Sequence, residues 1–360
     1  MTSAVRIGVI GTGMMGCEHI RNVKALEGAV VTAVSDPHGA SLGWARDNLG
    51  GDHPTVAEFT DHCSLLDSGL VDAVIIASPN HTHVDVLTDV LATEVPALVE
   101  KPLCTTVDDC KRVITLADAR SAITWVGLEY RYMAPVAGLL ETVRSGELGD
   151  LKMVSIREHR FPFLVKVDNW NRFSVNTGGT LVEKCCHFFD LMNLIIGDRP
   201  IRVMASGGQD VNHLNEVYEG RRSDILDNAF VIVEYANGVR ASLDLCMFAE
   251  ASRQEQEIRV VGSRGKVEAD VPGDGSIHVG RRVYRSVRAI PVPLDPSVEH
   301  VGFHFGASFI EVARFCEAVR TGSGPEVDVR DGLWSVVVGA AAHRSIDERR
   351  PVDIAEFGLS

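Results

Sequence analysis

Positive charge is scarce in this 360-residue chain: 35 Lys and Arg stand against 49 Asp and Glu, a formal net charge of −14. Proteins that track phosphate backbones need clustered cations, so this balance excludes nucleic acid as the expected partner and disfavours an anionic membrane surface. No stretch approaches the ~18 uninterrupted apolar residues of a membrane span. Met1 to Arg6 leads directly into the short apolar run Ile7-Gly8-Val9-Ile10 and carries no targeting pattern. The eight cysteines include no CxxC pair, and Cys185 and Cys186 are neighbours. A reduced, cytoplasmic protein with its thiols as core filler is the expectation. Repeats and low-complexity tracts are also missing.

What is present is alternation. Val5–Ile10, Ala29–Ser35, Val71–Ala77, Ala97–Val99 and Ala122–Val126 read as buried strands. Helical spacing occupies Met14–Leu26, His83–Leu91 and Val107–Ala117 between them. Strands separated by helices make a parallel sheet covered on both faces, the doubly wound architecture. After residue 128 the pattern changes. Arg131–Val143 reads as a helix, Lys152–Arg160 alternates as a half-wet strand, and Leu181–Ile196 reads as one helix ending at Gly197. Strand-like segments follow at 202–206, 229–235, 239–247, 256–261 and 266–269, with Asn237-Gly238 as a hairpin turn and 212–223 as a loop. Helices close the chain near 307–320 and 334–346. The expectation is an α/β protein with a Rossmann dinucleotide-binding domain over 1–128. An α/β domain with a largely antiparallel open sheet follows over 129–360, its last helix free to pack back on the first domain.

Four clusters carry chemistry. Gly11-Thr12-Gly13-Met14-Met15-Gly16 is a GxGxxG; with 33 glycines in the chain a chance match is not rare, so context decides. Here it follows a strand and opens a helix: Gly11 permits the tight turn, Gly13 lets backbone approach a pyrophosphate, and Gly16 lets helix and strand pack closely. The helix N-terminus supplies N–H groups and partial positive charge. Asp36 closes the second strand about 20 residues on, where a carboxylate accepts hydrogen bonds from the adenosine ribose. No Lys or Arg lies within 37–43 to neutralise a 2′-phosphate, so NAD is expected over NADP. Glu100-Lys101-Pro102 ends a later sheet strand, on the edge that faces the ligand crevice; a lysine there stabilises a developing alkoxide, or is simply a surface Lys beside a turn proline. Glu183-Lys184-Cys185-Cys186-His187 runs on to Asp190. On one helix Glu183 and His187 share a face, and a carboxylate orients an imidazole for proton exchange with an alcohol; a structural histidine is the plainer alternative. No HxxxH or paired cysteines accompany this cluster, so no metal is expected there. The stretch from Phe161 to Thr177 adds Lys166, Asp168, Asn169, Trp170, Asn171 and Arg172, a polar set around one aromatic that suits a polyhydroxylated ring or a solvated loop.

Together with Ser78-Pro79-Asn80 and His83, Tyr130-Arg131-Tyr132 with Pro135, and Gly178-Gly179-Thr180 ahead of His187, these clusters make a chain that resembles the glucose-fructose oxidoreductase/inositol dehydrogenase family, Gfo/Idh/MocA, over nearly its whole length. The resemblance implies that Lys101 is the catalytic lysine and His187 the general acid/base. It puts Glu183 where many members carry an aspartate, a departure of one methylene. It further implies Ser78, Pro79, Asn80, His83 and Glu100 beside the cofactor, Arg131 at the substrate pocket, a cis peptide before Pro102, and a sheet face buried in homodimers or homotetramers. The activity so implied is hydride transfer between a secondary alcohol of a cyclitol or sugar and NAD, with Lys101, Arg131, Asp168, Trp170, Asn171 and His187 around the substrate. A keto-sugar reductase of deoxysugar biosynthesis and a non-catalytic NAD(P)-sensing regulator are the alternatives.

Overall fold

The computed structural model describes residues 4–359, which group into two compact units. The first takes the chain up to Tyr132 with Lys166–Asp168 and Pro296–Leu333; the second takes Met133–Val165, Asn169–Asp295 and the chain from Trp334 onward. The grouping is discontinuous in sequence.

In the first unit the elements run β1 Val5–Ile10, α1 Met14–Ala25, β2 Ala29–Ser35, α2 Gly39–Leu49, β3 Ala57–Phe59, α3 His62–Asp67, β4 Ala73–Ile76, α4 His83–Leu91, β5 Ala97–Glu100, α5 Val107–Asp118 and β6 Thr124–Gly127. The six strands are parallel in the order β3-β2-β1-β4-β5-β6, the order of a doubly wound dinucleotide-binding sheet. Every residue of β4, β5 and β6 is buried, which is why these segments read as unbroken apolar runs. The strand order reverses direction between β1 and β4, so the crevice at their carboxyl ends receives Gly11 and Ser78. α2, β3 and α3 were not anticipated. α2 carries two glycines and buries only Ser41, Leu42, Ala45 and Leu49. β3 has three half-buried residues, and α3 is a six-residue helix started by Asp61, whose carboxylate accepts the Ser64 amide at 2.7 Å.

The second unit holds a nine-stranded sheet. Its strands are β7 Leu151–His159, β8 Pro200–Gly208, β11 Asn228–Tyr235, β12 Arg240–Cys246, β13 Gln256–Gly262, β14 Gly265–Val271, β15 Ser276–Arg281, β16 Val287–Pro291 and β17 Val352–Asp353. A separate two-stranded ribbon, β9 Val217–Tyr218 with β10 Arg221–Arg222, lies within the stretch expected to be a plain loop. The order is β16-β15-β14-β13-β7-β12-β11-β8-β17, antiparallel throughout except for β7 beside β12. Strict burial alternation along β13 and β14 marks one face packed and one wet. Gly238, at φ +81, turns β11 into β12 as Asn237-Gly238 predicts.

Two helix expectations need correction. The helix expected from Arg131 begins at Ala134, because Pro135 belongs in a first turn; Glu129–Tyr132 forms a separate 3-10 turn. The helix expected over Leu181–Ile196 is two helices, Thr180–Glu183 and Cys186–Ile196, interrupted at Lys184 and Cys185.

Arg120 shows how a short connection is held in the first unit. Its guanidinium donates to the carbonyls of Val90, Thr93, Val95, Ala122 and Ile123 at 2.8–3.2 Å, tying the end of α4 to the turns before β5 and β6. Replacing Arg120 by Met keeps the aliphatic stem and strands these acceptors. The expected cost is about 2–3 kcal/mol, read as a lower urea midpoint with unchanged m value; Arg46→Met, which removes a surface pair with Glu58, is expected to leave the midpoint close to wild type. Equal midpoints for the two variants contradict the assignment.

Candidate active site

The glycine turn has the geometry its spacing predicts. Gly11 sits at φ +87, and a Cβ there would lie 2.6 Å from the Ser78 nitrogen. A Cβ on Gly16 would lie 2.0 Å from the Gly11 carbonyl oxygen, so α1 crosses β1 at a distance only glycine allows. Gly13 is different: an added Cβ meets nothing within 4 Å, which leaves its backbone open toward a ligand. Thr12 is fully buried, whereas Met14 and Met15 are half-exposed beside the turn. The Thr12 amide donates to Asp36 Oδ2 and the His38 amide to Asp36 Oδ1, both at 2.8 Å. Asp36 is thereby fixed beside the turn with acceptor lone pairs remaining. An open Gly13, a helix N-terminus and an oriented carboxylate fit a dinucleotide.

Lys101 follows β5, joined to Pro102 by a cis peptide as the resemblance implies. Glu100 is 5% exposed. Burial opposes its ionisation, but the hydrogen bond from His19 and the charges of His19, Lys101 and His304 outweigh that and hold its carboxyl well below the usual range. His19 Nε2 lies 2.7 Å from Glu100 Oε1, while the Lys101 amide donates to Glu100 Oε2 at 3.2 Å. Ser78 and Pro79 are half-exposed and Asn80 is buried, with its Nδ2 lacking a protein acceptor. His83, expected at the cofactor, is fully buried: Nδ1 meets Pro102 O at 2.8 Å and Nε2 meets Ser78 O at 3.1 Å. Burial lowers its pKa, and a neutral ring donates to only one of these two carbonyls. The ring lies between the Ser78 loop and the Lys101 segment. Arg131 pairs with Asp331 at 3.2 Å and donates to the Glu326 carbonyl at 3.3 Å.

In the second unit the Gly178-Gly179 element has a packing reason. Gly179, at φ +87, lies under His343: a Cβ there would come within 2.3 Å of the ring. His343 Nε2 accepts the Leu181 amide at 3.0 Å, and burial lowers this histidine to about 4, keeping that nitrogen an acceptor. Glu183 ends the first short helix and His187 is the second residue of the next; both are buried, at 6% and 2% exposure. The hydrogen-bonded helix is interrupted between them, while Lys184 and Cys185 keep right-handed helical backbone. Lys184, between them, pairs with fully buried Glu158 at 2.9 Å, and Arg160 approaches the same oxygen at 3.4 Å.

The 161–177 stretch divides its polar groups. Asn171 and Arg172 are buried, at 0% and 2% exposure. Asn171 donates to the Leu164 carbonyl at 3.0 Å, and Arg172 pairs with Glu216 at 3.0 Å and donates to Phe163 O at 3.2 Å. Asn171 therefore braces the loop from inside. Asp168 is exposed, and it and Asn169 adopt left-handed backbone at φ 50 and 53; Trp170 is half-buried. His19, His343 and Glu158 were missed in the sequence: each is one polar residue among several on its element, and its partner lies far along the chain. Away from these groups, His62, Cys63 and Asp89 bring three ligand-type atoms within 4.8 Å of one another, on a solvated part of α3 and α4.

Comparison with known proteins follows this geometry. A family model described as the oxidoreductase family, NAD-binding Rossmann fold, matches residues 5–128, and one described as the oxidoreductase family, C-terminal alpha/beta domain, matches 141–354. The chain belongs to the Gfo/Idh/MocA oxidoreductase family. Within it, a myo-inositol 2-dehydrogenase of Thermotoga maritima is 27% identical over 98% of this chain and 99% of its own. The rhizopine catabolism protein MocA of Rhizobium meliloti is 30% identical over 54% of this chain and 58% of its own. Among solved structures, a levoglucosan dehydrogenase complexed with NADH and levoglucosan superposes with a TM-score of 0.85 at 18% identity, covering 98% of this chain and 99% of that one. An oxidoreductase from Agrobacterium radiobacter, complexed with NAD+, L-tartaric acid and magnesium, gives 0.81 at 18% identity over 98% and 99%. At that identity these two show the fold alone.

The three glycines of this Gfo/Idh/MocA turn make a discriminating test. Gly13→Val fills only open space, so thermal stability is expected to stay unchanged while NADH affinity falls at least tenfold, about 1.4 kcal/mol. Gly16→Val is expected to lose stability outright. A Gly13→Val protein that binds NADH normally in a fluorescence titration shows that the pyrophosphate lies elsewhere.

Proposed function

We propose that the chain oxidises, reversibly, a secondary alcohol on a cyclitol or sugar, with NAD preferred over NADP. What carries the proposal is Lys101, held at the carboxyl edge of the parallel sheet by buried partners beside an open glycine turn. Asp36 and the uncharged run from Pro37 to Gly43 support NAD. The bound nicotinamide, when present, accepts the hydride. In the oxidation direction His187 takes the hydroxyl proton while the carbon gives up its C–H bond with both electrons and the C–O bond becomes a carbonyl. Lys101 steadies negative charge on that oxygen, and Glu183 orients the imidazole. Asp168 and Trp170 are the loop groups available to a hydroxylated ring.

A nucleotide-linked keto-sugar is less well served. The guanidiniums that a diphosphate needs, Arg131 and Arg172, are already paired with Asp331 and Glu216. The dehydrogenase reading also favours a second copy of this chain as partner. On one face of the second unit's sheet, Phe230 is 65% exposed, Ile232 44% and Met153 57%; they stand among Asp244, Ser242 and Arg240, and a homodimer or homotetramer covers these apolar side chains. Among the described residues no helix is long and apolar enough to cross a membrane.

Purified protein assayed with NAD and NADP across inositols, aldoses, glycosides and keto-sugars is expected to turn over a polyol with NAD. On that substrate Lys101→Ala and His187→Ala each lower kcat by ~10²–10⁴-fold. Near-normal turnover in both variants removes the catalytic assignment, and NADH binding without turnover of any substrate favours a sensor. Phe230→Glu is expected to shift the wild-type oligomer toward monomer in light scattering after size exclusion. An unchanged mass moves the interface to another surface.

A further inference from the structure

We propose that His19 and His83 are positioning residues for Lys101, gripping its backbone from either side; this rests on the reading of Lys101 as a participant in the reaction. His19 stands on α1, three residues past Gly16, and is wholly buried. Its Nε2 holds Glu100 Oε1 at 2.7 Å, and Glu100 Oε2 accepts the Lys101 amide at 3.2 Å. On the other flank His83, the first residue of α4, holds the Pro102 carbonyl at 2.8 Å and reaches Ser78 O at 3.1 Å. The residues immediately before and after the lysine are thus each fastened to a buried imidazole. One imidazole rides on the helix that opens at the glycine turn, the other on the helix that follows Ser78–Asn80. Gly127 closes a third side, since a Cβ there would lie 3.2 Å from Glu100 Cα.

Filling space does not account for this arrangement. A buried ion pair recovers little net stability over apolar residues of similar size, because desolvation offsets the Coulombic gain. A charge-assisted hydrogen bond adds direction: it fixes where Glu100 points and so where the Lys101 amide sits. Displacing a reacting group by about 1 Å costs on the order of 10²-fold in rate, the scale on which such a grip matters. The same links couple the lysine backbone to both segments that frame the glycine turn.

Two readouts on the full chain test this: amide hydrogen exchange of the peptide covering residues 97–104, and steady-state kinetics. The variants are His19→Leu, His19→Gln, His83→Leu and Lys101→Ala. Glutamine places a donor N–H near the position of the imidazole Nε2. In His19→Leu the Lys101 amide is expected to exchange at least about tenfold faster and kcat to fall about 10–100-fold, with the NADH Kd within about threefold of wild type. His19→Gln is expected to recover both readouts, and His83→Leu to lower kcat in the same way. The proposal is overturned if a cooperatively folded His19→Leu keeps both Lys101 protection and kcat. Losses that Gln does not recover overturn it too, since they mark general core damage. If His19→Leu does not fold, Glu100→Gln replaces it with the same readouts. Full turnover by Lys101→Ala sinks the underlying reading of the lysine; an inactive Lys101→Ala beside a fully active His19→Leu sinks the positioning role alone.

Discussion

The approach of α1 to β1 at Gly16 sets the terms for the rest of the first unit. With the Gly11 carbonyl 2.0 Å from where a Cβ would stand, neither residue tolerates a side chain, and Gly11 is pressed in turn against Ser78. Three segments distant in sequence meet there through backbone alone. The consequence is chemical as well as steric: the first N–H groups of α1 are presented at a fixed place beside Gly13, where nothing from the protein intrudes. Asp36 reaches the same turn because Thr12 and His38 donate to it, so the carboxylate is oriented by the turn it serves.

Behind the lysine the same unit carries an unusual amount of buried charge. Glu100 is paired with His19 and Glu129 with His304, while burial, together with Glu129 and Glu100, pushes Glu311 well above the usual carboxylate range. Two carboxylates thus have imidazole partners, and the third is favoured as the neutral acid. This resolves the like-charge problem without exposing any of them, since three ionised carboxylates in one core could not all be compensated by two histidines. The arrangement depends on the 296–333 segment returning to the first unit, because His304 and Glu311 both come from it.

Much of this was legible in the sequence and some was not, for identifiable reasons. β1, β2 and α4 fall where periodicity puts them, because strands buried on both faces and amphipathic helices leave direct patterns. The GxGxxG was legible because each glycine has its own steric cause. The broken helix at Lys184-Cys185 was not: Leu181–Ile196 keeps helical spacing and holds neither Gly nor Pro, so nothing in the residue types marks the break. The partners of Arg131 and Asn171 were not legible either: the Glu326 carbonyl lies 195 positions from Arg131, and the Leu164 carbonyl that Asn171 meets belongs to an irregular loop. His19 was invisible because the residue that needs it, Glu100, lies 81 positions away.

The two units also differ in what fixes their functional groups, which bears on where substrate choice resides. Lys101 stands on a strand end with buried grips on both sides, and the Gly179 turn ahead of His187 is locked by the His343 ring. Neither position has freedom to follow a substrate. The 161–177 stretch instead anchors itself through Asn171 and Arg172 and leaves Asp168 exposed and Trp170 only half-buried. Substitution at Asp168 reaches an exposed carboxylate, whereas substitution at His19, His83 or His343 disturbs a buried polar contact at once. Under the proposed function, the groups assigned to the reacting oxygen therefore lie in the constrained part of the chain, and those assigned to the rest of the substrate lie on its outer loop.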